Sequence, residues 1–273
     1  MSHTNAMILA AGRGERMRPL TDHTPKPLLS VRGKPLMQWP LEALARGGVQ
    51  RAVINTAWLG DQISGYFGGA FNGVTLAGQS AAQTGGKPMA LVYSQEGADF
   101  GGALETAGGI SRALPLLCPN NTQIGSEVFW VLAGDVFAPD FVFSQTAVER
   151  FIAGDKLAHI WLVPNPAHNP GGDFGLSAVA SNAVGEGLAL NLSREDLRPR
   201  YTYSTIGLYR KQLFAPPWCA VAAGNPQGIK AALGPLLRAA MDQELVSAEL
   251  YHGAWTDVGT PERLKQLNSL PQA

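Results

Sequence analysis

AMILAAGRGERMRPLT, residues 6–21, is an apolar run that breaks into a loop of glycine and arginine. Ala6-Met7-Ile8-Leu9-Ala10 is too short for a core helix and suits a strand buried on both faces. Gly12 and Gly14 then allow main-chain N–H groups to approach an anion with no Cβ in the way. Arg13, Arg16 and Arg18 add permanently charged, fork-shaped donors that match phosphate oxygens. A third glycine of a dinucleotide fingerprint would fall at Met17, and no Lys-Ser/Thr follows at P-loop spacing. On spacing alone a solvated arginine-bearing loop explains the segment equally well. Downstream, Lys26 stands between Pro25 and Pro27, which stiffen the chain around its charge.

The rest of the chain keeps the rhythm that this strand begins. Leu36 to Arg46 has helical apolar spacing and stops at Gly47-Gly48. Val49 to Asn55 reads as a strand, Leu59 to Phe67 as a short helix and Leu91 to Ser94 as a strand. Leu104 to Leu114 reads as a helix with Pro115 just past its end. Val128 to Leu132 is a strand ending at Gly134-Asp135, and His159 to Val163 is another. Strands alternating with helices predict a Rossmann-like α/β fold, a mostly parallel sheet flanked by helices. Ligands in such sheets lie beyond the strands' carboxyl ends, where the 9–21 loop and Asp135 both fall. The polar stretches Gly68 to Lys87, Gly97 to Gly102 and Cys118 to Gly125 read as loop insertions. With no interdomain linker, residues 1–273 are expected to form a single domain. Its first half spans about 1–135 and its smaller second half, expected to form a substrate lobe, about 136–260.

Composition narrows the partners. The 273 residues carry 21 Lys plus Arg against 21 Asp plus Glu. A formal charge of zero argues against nucleic acid or anionic lipid. Two cysteines build no disulfide framework or zinc ribbon. No apolar run is long enough to span a bilayer, and the start has no positively charged region of a signal peptide. A cytoplasmic protein with small-molecule substrates is expected; whether it is a monomer or a homo-oligomer stays open. Asp135, at a strand end facing a phosphate loop, suits a hard cation such as Mg²⁺, although a Gly-Asp turn cap has the same sequence. In Trp255-Thr256-Asp257-Val258-Gly259-Thr260-Pro261-Glu262, Thr260 reads as the cap of a helix starting at Pro261. Asp257 is left without a structural reason.

The string Gly12-x-Gly14-x-Arg16-x-x-Pro19-Leu20-Thr21, followed by Pro25-Lys26-Pro27-Leu28, resembles the signature of the sugar-phosphate nucleotidyltransferases. The resemblance extends over nearly the whole chain, through VINTAWLG, LETAGGI and GDFGL. It implies an enzyme that makes a nucleotide-sugar and pyrophosphate from a nucleoside triphosphate and a sugar 1-phosphate. It assigns Arg16 to the triphosphate and Lys26 to the reacting phosphate, as the catalytic pair. Leu9, Ala10, Ala11, Gly12, Gly14, Glu15, Gln95 and Glu105 fall on the nucleotide side, with Gln95 and Glu96 near the base. Asp173, Gly175 and Thr205 fall on the sugar side, and Asp135 and Asp257 would hold Mg²⁺.

The motif combination is most similar to the uridylyltransferase branch, which implies UTP and N-acetylmuramate α-1-phosphate in peptidoglycan recycling. For the lactyl carboxylate of that sugar, Arg198 and Arg200 are the candidates. Mannose-1-phosphate guanylyl transfer, glucose-1-phosphate thymidylyl or uridylyl transfer, and a silent regulatory subunit on the same fold remain as alternatives. The Glu-Lys-Pro element of the thymidylyl- and guanylyltransferases is absent, with Ser193-Arg194-Glu195-Asp196 roughly in its place.

Overall fold

The computed structural model describes residues 4–72, 88–119, 125–177 and 185–269. Most of the expected insertion Gly68 to Lys87 and residues 120–124 of Cys118 to Gly125 lie outside these. The strands are β1 (Asn5–Leu9), β2 (Ser30–Val31), β3 (Lys34–Pro35), β4 (Arg51–Thr56), β5 (Ala70–Phe71), β6 (Met89–Gln95) and β7 (Val128–Ala133). They continue as β8 (Val136–Phe137), β9 (Ala158–Val163), β10 (Phe174–Leu176), β11 (Gly187–Leu190), β12 (Arg200–Arg210), β13 (Val246–Leu250) and β14 (Thr256–Asp257). The helices are α1 (Gln38–Arg46), α2 (Gly60–Phe67), α3 (Glu96–Phe100), α4 (Glu105–Leu117), α5 (Gln145–Ala153), α6 (Leu233–Met241) and α7 (Pro261–Ser269).

Among the described residues ten strands form one sheet, ordered β10-β11-β13-β9-β12-β7-β1-β4-β6-β5. The neighbours β7, β1, β4 and β6 run parallel, as the strand–helix alternation predicts. The second half changes that pattern. β12 runs antiparallel between β7 and β9, and β10 and β11 add antiparallel pairs at the edge. The sheet is therefore mixed, parallel where the 6–21 turn sits. Successive β1 residues point to opposite faces, Met7 into one apolar cluster and Ala6 and Ile8 into the other. Burial on both faces is why β1 and β7 read as unbroken apolar runs.

Two expected boundaries move. α4 continues through Pro115 to Leu117. Proline lacks the N–H that would bond the Ser111 carbonyl, and Gly224 N–H supplies that bond at 2.7 Å. The 97–102 stretch is not a loop insertion but largely α3, closed by Gly101 at φ 75°.

A small two-stranded ladder, β8 with β14, pairs Asp257 with Val136. It is fastened by a third apolar cluster in which Met17, Leu36, Phe137 and Val258 are fully or almost fully buried. The amino-terminal loop and the carboxyl-terminal turn thus share one core.

A polar cluster lies apart from this, around buried His159 on β9. His159 Nδ1 is 2.8 Å from Ser247 Oγ and 3.5 Å from Glu186 Oε1. Hydrogen bonding from His159 draws Glu186 down from 4.5 to about 2, against the opposing effect of burial. A carboxyl lowered on folding stabilises fully above its unfolded pKa and loses that stabilisation as pH falls toward the folded one. Glu186→Gln is therefore expected to melt below wild type at neutral pH. Thermal melts across a pH series should show the gap closing between about pH 4.5 and 2.

Candidate active site

The site begins where β1 ends. The Leu9 carbonyl accepts Gly134 N–H at 2.9 Å, and a Cβ on Gly134 would stand 3.1 Å from that same oxygen. Glycine lets the end of β7 close against β1, so Asp135 emerges beside the 9–14 turn. Gly14 takes φ 69°, and Thr21 Oγ1 donates to its carbonyl at 2.8 Å, closing the loop. A Cβ on Gly12 would meet nothing within 4 Å, so this stretch of backbone is open to a ligand.

The three loop arginines separate in the structure. Arg13 stacks over Trp58 at 3.7 Å, donates to the Thr21 carbonyl and pairs with Asp22. Arg18 pairs with the same aspartate at 2.8 Å. Both hold the loop's shape rather than a phosphate. Arg16 has no carboxylate partner among the described residues, and its Nη2 would lie 3.3 Å from a Cβ on Gly259.

A cavity of about 640 Å³ opens at the strand ends, a size that suits a small-molecule ligand. Leu9, Ala10, Ala11, Gly12, Lys26, Asn55, Glu96, Glu105 and Asp135 line it from the first half of the chain, and Asp173, Phe174, Tyr203, Thr205, Leu237 and Arg238 from the second. Lys26 Nζ lies 2.5 Å from Asp135 Oδ2, with the lysine side chain 11% and the aspartate 36% exposed. Asp173 is fixed from β12, where Tyr203 N–H donates to its Oδ2 at 2.9 Å.

Beneath the turn runs a buried chain of hydrogen bonds. Ala10 N–H donates to Asn55 Oδ1 at 2.7 Å, and Asn55 Nδ2 donates to Glu96 Oε1 at 2.7 Å. Leu104 N–H donates to Glu96 Oε2 at 2.8 Å. Burial raises the Glu96 pKa, while the bonds from Leu104 and Asn55 and the Arg112 charge work against the rise. Gly109 is where α4 passes this carboxyl, since a Cβ there would meet Glu96 Oε1 at 2.5 Å. Glu96 is thus committed to backbone and amide partners and braces the turn.

The second aspartate arrives on β14. Val258 N–H donates to the Asp135 carbonyl at 2.9 Å, so the two aspartates occupy adjoining backbone positions. Asp257 pairs with Arg263 and lies 2.9 Å from His168 Nε2. Among the described residues no cluster of three or more His, Cys, Asp or Glu forms a protein-only metal cage. Two carboxylates suit a Mg²⁺ ion that takes its other ligands from phosphate and water. Thr260 caps α7 as expected, its Oγ1 accepting from Arg263 N–H at 3.4 Å.

Of the residues singled out from sequence, ten line the cavity: Leu9, Ala10, Ala11, Gly12, Lys26, Glu96, Glu105, Asp135, Asp173 and Thr205. Gly14, Glu15, Arg16, Gln95, Gly175 and Asp257 do not. Gly14 shapes the loop, and Gly175 accommodates Leu192, 2.6 Å from where its Cβ would be. Arg198 and Arg200 are committed elsewhere, the first to Asp196 and the second to the Ser193 and Asp196 carbonyls. Asn55 and Arg238 are cavity residues that the sequence reading missed. The only trace of Asn55 was a polar residue at a strand end, and Arg238 left none.

Residues 5–270 match the nucleotidyl transferase family, and the chain belongs to it. An N-acetylmuramate alpha-1-phosphate uridylyltransferase of Neisseria meningitidis is 44% identical over 277 residues, covering 98% of each chain. A Caulobacter vibrioides protein of the same description is 38% identical over 112 residues, 41% of this chain and 40% of the relative. A Bacillus anthracis crystal structure, described as a glucose-1-phosphate thymidylyltransferase in complex with a sucrose, superposes with a TM-score of 0.69. It shares 18% identity and covers 98% of this chain and 94% of that one, which establishes the shared fold.

The Asn55 chain makes a direct prediction. Asn55→Leu leaves Ala10 N–H and Glu96 Oε1 each without its partner. Each buried orphan costs on the order of 1–3 kcal/mol. Urea unfolding should register that loss, and nucleotide titration should show weaker binding because the turn has lost its brace.

Proposed function

We propose that this enzyme transfers uridylyl from UTP to N-acetylmuramate α-1-phosphate, releasing pyrophosphate and forming the UDP-sugar. One observation carries the reading: the glycine turn, Lys26 and Asp135 share one strand-end cavity, in a chain that aligns end to end with a uridylyltransferase. A place in peptidoglycan recycling follows from that sugar, and the cytoplasm, where UTP is made, is the compartment it requires. Among the described residues no helix is long and apolar enough to cross a membrane.

In the proposed reaction a sugar 1-phosphate oxygen attacks the α-phosphorus of UTP. A new P–O bond forms as the bond to the β-phosphate breaks, and pyrophosphate carries the electron pair away. The nucleophile is already ionised at neutral pH, so no general base is needed. The obstacle is repulsion between anions, which the protein must offset and align. Lys26, held by Asp135 in the free enzyme, would turn its ammonium to the reacting phosphates. The open backbone at Gly12 would receive triphosphate oxygens, and Arg16, which has no carboxylate partner among the described residues, would meet charge building on pyrophosphate. Asp135 and Asp257 would hold Mg²⁺, which supplies charge neutralisation across the phosphates.

A panel of nucleoside triphosphates against sugar 1-phosphates, followed by pyrophosphate release, tests the assignment. UTP with N-acetylmuramate α-1-phosphate is expected to be the best pair. A clear preference for GTP with mannose 1-phosphate, or no release with any pair, overturns it. Asp135→Asn and Asp257→Asn should each lower kcat by at least ~100-fold while circular dichroism shows the fold retained, with some loss of melting temperature where Lys26 or Arg263 loses its carboxylate. Lys26→Ala should lower kcat/KM by about 100-fold or more; an unchanged value removes it from the phosphate site.

A further inference from the structure

Helix α6 brings a cation to the cavity wall that the reaction above does not use. Arg238 Nη1 donates to Asn191 Oδ1 at 2.8 Å, and its Cζ lies 5.0 Å from the centre of the Phe174 ring. Both partners are neutral. Among the described residues no carboxylate pairs with Arg238, whereas Arg13, Arg18, Arg112, Arg198, Arg210 and Arg263 each face one. A guanidinium has five donors, so most of its fork is free for a ligand. The ring contact and the Asn191 bond hold that fork in place, which lowers the ordering cost of binding.

Its position in the cavity decides what it would bind. Lys26 and Asp135 are lining residues from the first half of the chain. Arg238 lies against the Phe174 ring, and Phe174 follows Asp173, all three lining residues from the second half. A sugar phosphate anchored through its phosphate at Lys26 would present its ring to these residues. Ring hydroxyls suit the Asp173 carboxylate. A free guanidinium suits an anion, and a neutral hexose has none to give it. The ether-linked lactyl group of N-acetylmuramate ends in a carboxylate, which a planar fork can bind with two parallel hydrogen bonds.

We infer that Arg238 is a specificity-determining residue that recognises the carboxylate of an acidic sugar phosphate and so selects it over its neutral counterpart. This rests on the uridylyltransferase reading above. It replaces Arg198 and Arg200, which the structure commits to their own loop, as the cation for that group.

The test compares wild type with Arg238→Gln on N-acetylmuramate 1-phosphate and N-acetylglucosamine 1-phosphate, which differ by the lactyl ether. Calorimetry gives the affinity for each sugar phosphate, and pyrophosphate release gives kcat/KM at saturating UTP. Arg238→Gln is expected to weaken binding of the muramate compound by at least ~10-fold, the effect appearing in KM rather than kcat. Affinity for the glucosamine compound should stay within about twofold, which also reports an intact fold. An equal loss on both sugars would place Arg238 on the shared 1-phosphate and overturn the inference. Unchanged binding of the muramate compound overturns it as well. If wild type turns over other sugar phosphates but not the muramate compound, the functional reading falls and takes this inference with it. If wild type uses the muramate compound and the variant remains equally selective, only the role of Arg238 falls.

Discussion

The site depends on Val258 being buried. That side chain, with no exposed surface, packs with Met17, Leu36 and Phe137, while its N–H bonds the Asp135 carbonyl. Two carboxylates on adjoining strands repel, so their own charges cannot bring the segments together. Apolar burial does so, at roughly 1.5–3 kcal/mol for each fully buried side chain of this size. The entropy of closing the long loop between Asp135 and Asp257 grows only with the logarithm of its length, so a compact cluster suffices. Asn268 adds a polar latch, bonding Arg32 N–H and the Ser30 carbonyl across the same junction. Cations then balance the charges that packing has gathered: Lys26 on Asp135 and Arg263 on Asp257, with His168 Nε2 2.9 Å from the second carboxylate.

Those counter-cations also give the free enzyme a defined resting arrangement. Lys26 is nearly enclosed, and its ammonium would be costly without Asp135. On the proposed reading, Lys26 would turn to bound phosphates from a pair that is already assembled, and Asp135 would be left to hold Mg²⁺. Little reorganisation would then be left for the chemical step, which is the condition under which fixed charges contribute most.

The sequence shows what local pattern determines. The apolar run into the glycine loop, the strand ending at Gly134-Asp135 and the Thr260 cap all depend on neighbours within a few residues, and the structure places them as expected. It hides what tertiary partners decide. Arg13, Arg16 and Arg18 look alike along the chain, and Trp58 and Asp22 separate the first and third from Arg16, which has no carboxylate partner among the described residues. Pro115 looks like a helix stop until Gly224 satisfies the Ser111 carbonyl. The antiparallel course of β12 leaves no mark in its composition. Arg238 reaches the cavity because α6 packs on the sheet through Leu233, Leu236 and Leu237, a placement set by contacts far away in sequence.

Two residues of the cavity carry backbone strain that the same tertiary contacts must hold. Glu105 takes φ 59° and Thr205 φ 64°, and the second is β-branched, so its conformation is the more costly. Glu105 opens α4 beside a backbone bracket, Ala231 N–H to the Leu104 carbonyl and Ala107 N–H to the Ala231 carbonyl. Thr205 sits in the β12 irregularity between Tyr203 and Gly207. Ser204, the residue before it, is pinned: its Oγ donates to the Trp161 carbonyl at 2.7 Å and accepts from Ile206 N–H at 3.1 Å, while Trp255 Nε1 donates to the Ser204 carbonyl. The bulge turns the Thr205 side chain to the cavity, where its hydroxyl is shielded and has no partner among the described residues. A strained residue with an unsatisfied hydroxyl raises the energy of the empty enzyme. That hydroxyl has no accessible surface, so the hydrogen bonds of Ser204 and Trp255, not a ligand, hold the bulge against the strain.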